Sequence, residues 1–181
     1  MLQLTIQATE CWDEQKQEFV CLKKDQKLQL EHSLVSVSKW ESKWGKAFLS
    51  PKEKTFEETI DYIRCMTITQ NVPDTTYTFL THAHINIVNE YIAHPMTATV
   101  IRESIKENTS KEVVTAELIY YWMIAFQIPL ECQKWHLNRL LTLIKVCNVK
   151  NKPPKKQNQK EIMVQNHELN ERRKQEMQTR G

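Results

Sequence analysis

The sequence predicts an α+β fold, mainly α: a small N-terminal antiparallel sheet, a helical body ending in an αα-hairpin, and a polar tail helix. Strict alternation of apolar and polar residues is confined to the first 32 positions. Helical spacing, with caps, recurs from Ser33 to about Val149. Two glycines in 181 residues are too few for a chain of many tight turns. A single globular domain over 1–150, β-rich in 1–32 and helical in 33–150, therefore precedes a tail at 151–181.

Each element has its own signal. Leu2, Leu4, Ile6 and Ala8 alternate with polar residues, as in a half-buried strand. Phe19–Leu22 and Leu28–Leu30 flank polar Lys23–Lys27, the pattern of a hairpin within 18–32. Ser33 stands as an N-cap before Leu34, Val37, Trp40 and Trp44, and Gly45 supplies the stop. Thr55-Phe56-Glu57-Glu58 is a capping box, with Phe56, Ile60, Ile63 and Ile68 roughly on one face. Asp74 is placed to cap a short helical turn in 72–80. Ile85, Val88 and Ile92 stripe a helix over 81–95 that Pro95 ends. TATVI (97–101) suits a strand and ENTS (107–110) an exposed turn.

Two long helices follow, one from about Ser110 to Gln127 and one from near Leu130 to about Val149. Pro129 separates them, because proline disfavours helical geometry in the residue before it. Trp135, Leu140, Ile144 and Cys147 form the stripe of the second helix, broadened by Leu137, Leu141 and Leu143. Beyond the hinge at Pro153-Pro154, Ile162-Met163-Val164, Leu169 and Met177 are too little apolar surface for independent folding. A helix there frays or depends on a partner.

Composition narrows the function. Residues 151–181 hold eight Lys/Arg against four Asp/Glu, leaving seventeen against eighteen in the body, so the positive charge belongs to the tail. Five scattered cysteines without a CxxC pattern read as free thiols of a reducing compartment. The N-terminus lacks a basic n-region and cleavage site, and no apolar run reaches membrane-spanning length. A cytosolic protein with no membrane association is expected.

No catalytic set, cofactor site or metal site emerges. Cys132 and His136 share a face on a continuous helix, but a structural zinc site needs a second pair, and His82 and His84 diverge. They read as a small core residue and a partly exposed polar one. No oxyanion loop or orienting third group accompanies them for nucleophilic catalysis. Gly45 and Gly181 alone cannot build a phosphate-binding loop. Glu57, Glu58 and Asp61 suit a solvated helix face better than an acid–base pair. Nucleic-acid binding is disfavoured as well, since Glu161, Glu168, Glu171 and Glu176 interrupt the basic residues of the tail.

The candidate partner-binding residues are Trp40, Trp44, Trp122, Trp135, Ile162 and Met163. Core packing is the simpler account of each tryptophan, yet aromatic side chains also dominate interface hot spots. One tryptophan cluster as core and the other as contact surface is the expectation.

Three stretches carry a resemblance: LEHSLVSVSKWESKWGKAFL, IYYWMIAFQIPLECQKWHLNRLLTLIKVCN and PPKK. Through them the chain resembles tailed-bacteriophage tail assembly chaperones over about 1–178. The resemblance implies a non-catalytic protein of the infected host's cytoplasm that binds the tape-measure protein during tail morphogenesis. Many such chaperones are also made in a longer frameshifted form, and the resemblance transfers no binding residues. The protein partner is then the tape-measure protein or another tail protein, with self-association left open. The alternatives are a structural virion protein, such as a tail-completion or head–tail connector component, and a small DNA-binding regulator.

Overall fold

Four short strands open the chain, paired in a nested order. The computed structural model describes residues 1–13, 18–100, 113–151 and 159–177. β1 (Leu2–Ile6) pairs antiparallel with β4 (Gln26–Leu30), and β2 (Glu10–Asp13) pairs antiparallel with β3 (Glu18–Cys21). The expected 18–32 hairpin does not form, since β3 and β4 each return to an earlier partner. Burial explains the choice. With Leu4 opposite Leu28 and Leu2 opposite Leu30, the side chains of Leu4, Ile6, Leu28 and Leu30 all enter the core. A one-residue slip would turn them to solvent. Between the ladders, residues 7–9 face 22–25, one residue more on the returning side. Asp25 Oδ1 accepts from the Ala8 amide there (2.8 Å), and Thr9 O from the Leu22 amide (2.8 Å).

α1 (Leu34–Trp44) and α2 (Phe56–Met66) begin as expected. Ser33 caps α1 through a capping box with Ser36, and Gly45 ends it in the left-handed conformation (φ 61°). Thr55 and Glu58 form the capping box of α2. The stripe of α2 differs from expectation: Ile63 is buried, whereas Phe56 and Ile68 lie more than half exposed. Glu58 and Asp61 are buried too, not solvated. Each has found partners that the sequence does not reveal. Glu58 is paired with Lys46 and accepts from the Thr55 amide (2.9 Å), which together hold its carboxyl below the usual carboxylate range. Burial pushes the Asp61 carboxyl upward, but Lys43 and the Trp44 indole outweigh it and the net shift is downward. After α2, Ile68 N donates to Gln29 O (2.8 Å) and Glu31 N to Met66 O (3.0 Å), so 66–68 runs beside β4.

A 3-10 turn at Asp74–Phe79 follows, preceded by Pro73; Asp74 lies in its first turn and makes no cap hydrogen bond. α3 (His82–Ala93) is capped by Thr81, buries Val88 and Tyr91, and half-buries Ile85 and Ile92. The backbone at 97–100 is not a strand; Ile101 and 107–110 lie outside the described residues. α4 spans Ala116–Ala125, shorter than predicted, and Gln127 leaves it with a positive φ of 54°. The expected second long helix is divided. A 3-10 turn at Leu130–Lys134 gives way to extended Trp135, and α5 starts only at Leu137 and runs to Asn151. Tertiary pairing causes the break: His136 bridges Ser33, and the Leu137 amide donates to His32 O (2.7 Å).

A polar cluster lies inside this junction. His32 and His136 are both buried, with ring centroids 5.1 Å apart. His32 Nδ1 lies 2.5 Å from the Tyr62 hydroxyl. His136 Nε2–H donates to Tyr91 O (3.1 Å), and its Nδ1 accepts from the Asn138 amide (3.3 Å), which describes a neutral ring. Burial pushes the His32 imidazole down to about 3, helped by the neighbouring His136. Burial likewise lowers His136.

The chain forms two compact units, Met1–Val149 and Lys150–Gly181. The second contains α6 (Gln159–Met177), whose described side chains are exposed. Among the described residues no helix is long and apolar enough to cross a membrane.

Candidate protein-binding groove

A depression of about 750 Å³ in the first unit is built from three parts of the chain. α4 supplies Trp122, and Phe126 caps its end four residues on, one turn above it. α5 supplies Leu141, Ile144, Lys145 and Asn148, again at helical spacing. Leu49, Ser50 and Pro51 form the third wall, with Val113 and Val114 before α4. Apolar side chains dominate, and Ser50, Lys145 and Asn148 are the polar exceptions.

A buried carboxylate fixes two of these walls. Glu41 of α1 accepts from the Phe48 amide through Oε1 and from the Ala116 amide through Oε2, each at 2.7 Å. The first bond holds the segment leading into Leu49. The second satisfies one of the free N–H groups at the start of α4. At the same terminus Thr115 Oγ1 accepts from the Leu118 amide (3.4 Å).

The predicted contact residues fall in different places. Trp40 is a core residue, 1% exposed, and its indole N–H donates to Glu58 O (2.9 Å). It has no surface to offer a partner. Trp44 stacks on it, is half-buried, donates to Asp61 Oδ2 (2.9 Å), and lines a separate depression of about 420 Å³ with Phe56, Ile60 and Tyr77. Trp122 lies in the groove. Trp135 does not; it is half-buried with the Arg139 guanidinium 4.1 Å from its ring. Met163 is exposed on α6, and the side chain of Ile162 lies outside the described residues.

Cys132 is the small core residue that the sequence predicts, whereas His136 is buried instead of partly exposed, and the two do not share a helix. They sit on either side of the break at Trp135, and His136 is committed to Tyr91 O and the Asn138 amide. Among the described residues, no group of three or more His, Cys, Asp or Glu side chains could hold a metal ion.

Sequence reasoning missed Phe126, Leu141 and Ile144 as groove residues, and Glu41 as its brace. Phe126 could have been found from its spacing to Trp122. Nothing local marks Leu49, Pro51 or Glu41, whose roles depend on residues far along the chain. No family model matches the chain, and neither a curated protein nor a solved structure matches it.

Proposed function

We propose that this chain is a non-catalytic tail assembly chaperone of a tailed bacteriophage, which holds apolar helices of the tape-measure protein until the tail tube forms. The open apolar groove between α4, α5 and 49–51 is the observation that carries this reading. A trough lined by Trp122, Phe126, Leu141 and Ile144 suits the apolar stripe of a client helix, where anchors recur every three or four residues. It also shields that stripe from self-association. The stretches that resemble the phage family include its walls: residues 119–148 supply the α4 and α5 side chains, and Leu49 closes the 30–49 block. Work in the cytoplasm of the infected host follows from the same reading.

Mass spectrometry of purified phage particles beside infected-cell lysate tests it. The expected result is abundant peptides in lysate and none in particles, with the tape-measure protein copurifying from lysate. Stoichiometric presence in particles would instead identify a structural tail or connector protein.

A further inference from the structure

The groove does not end at its apolar walls. Ser50 and Val113 are shared with a neighbouring cleft of about 480 Å³, also lined by Lys46, Lys52, Lys54, Glu53 and Glu58. Glu58 is buried and already paired with Lys46, which leaves Lys52, Lys54 and Glu53 as the remaining charged residues lining that cleft. Lys54 is the informative one. It is half-buried, its ammonium lies 4.3 Å from the Phe48 ring centroid, and no carboxylate among the described residues is within 4.0 Å of it. Desolvation lowers its proton affinity, only partly offset by the charge of Glu58. A long cationic side chain held partly out of water beside an aromatic face gains most from an incoming anion.

We propose that the groove and the lysine-lined cleft together bind an amphipathic helix that carries carboxylates at one end of its apolar stripe. The stripe lies along Trp122, Phe126, Leu141 and Ile144, and the acidic end passes Ser50 and Val113 to meet Lys54 and Lys52. This rests on the groove being the client site. It adds the client's chemistry: apolar residues at helical spacing, with Asp or Glu at the end that enters the cleft. The lysines also reject helices with a basic end, which gives the site a preference that apolar contact alone cannot supply.

Two labelled synthetic helices test this on the full chain by fluorescence anisotropy. They share one leucine stripe and differ only in a terminal Glu-Glu-Glu or Lys-Lys-Lys. The acidic helix is expected to bind at least about tenfold more tightly at low salt, with the difference shrinking as salt rises. Lys54→Gln should reduce that ratio severalfold, whereas Leu49→Ser should weaken both helices alike. Neither substitution removes a core side chain, and a thermal melt of each variant checks the fold. Equal binding of the two helices, or an unchanged ratio in Lys54→Gln, overturns the acidic preference and leaves the groove as a general apolar site. Binding of neither helix overturns both readings. Sedimentation that shows a dimer lost in Leu49→Ser assigns the groove to a second copy of this chain and likewise overturns the proposal.

Discussion

Two residues in left-handed backbone conformation make opposite demands on their side chains. Gly45 (φ 61°) ends α1, and a Cβ built there meets nothing within 4 Å. Any cost of Gly45→Ala is therefore conformational and not steric, about 1 kcal/mol. Gln127 (φ 54°) ends α4, where Ile128 N donates to Met123 O (2.8 Å) across the turn, a position that usually falls to glycine. Gln127→Gly should stabilise the fold by roughly 0.5–1 kcal/mol, as relief of backbone strain exceeds the entropy a glycine adds to the unfolded chain. Urea denaturation of the two variants beside the parent checks both signs.

At the scale of elements, the helices bury apolar stripes in a common core and are also tied by polar groups from elsewhere. Glu41 is the clearest case, one carboxylate satisfying amides of two distant segments. Glu41→Ala strands two amides beside the core, and each unsatisfied buried donor costs about 1–3 kcal/mol. A loss of several kcal/mol in urea is expected, together with weaker binding of a helix to the groove, if that is its occupant as proposed, because the 49–51 wall and α4 lose their common brace. Glu41→Gln should retain one of the two bonds and fall in between.

The same scale shows what could be read in advance and what could not. The N-cap at Ser33, the capping box at Thr55, the stop at Gly45 and the alternation of Leu2, Leu4 and Ile6 are local, so their elements appear where the sequence places them. The pairing of β1 with β4 was illegible because two adjacent apolar runs look like a hairpin whichever partners they take. The break at Trp135–His136 arises from bonds to His32 and Ser33, far back in the chain. Glu58 and Asp61 looked like surface residues because their cations, Lys46 and Lys43, lie on the preceding helix and loop. Of the groove, Trp122 was legible as an aromatic in an apolar run. The wall at 49–51 was not.

For the whole molecule, the buried imidazoles set a pH dependence. Tyr62, Phe48 and His136 surround His32, Ser36 reaches the Tyr62 hydroxyl, and Glu31 meets the Tyr91 hydroxyl (2.6 Å) at the edge of the cluster. In the folded protein His32 stays neutral down to about 3, whereas in the unfolded chain it takes a proton near its ordinary value of 6.5. The unfolded state therefore binds more protons between those values, and stability falls as the pH drops through that window. The slope is about 1.4 kcal/mol per pH unit for His32 alone, and steeper where His136, shifted the same way, joins it. Below the ordinary carboxylate range, protonation of Glu58 and Asp61 adds to the loss. Melting temperatures from pH 7.5 to 4 should fall steadily below about pH 6.5, and His32→Gln should flatten the upper part of that decline.

The bond from the Leu137 amide to His32 O ties together residues more than a hundred positions apart. Its meaning lies in the order of synthesis. While the ribosome is still making α3 and α4, the sheet and α1 have already emerged, but the surface that Leu137, Leu140 and Ile144 will cover is bare. Docking of α5 is then a late step that waits on a long loop closure. Until it occurs, the nascent chain exposes its own sticky face.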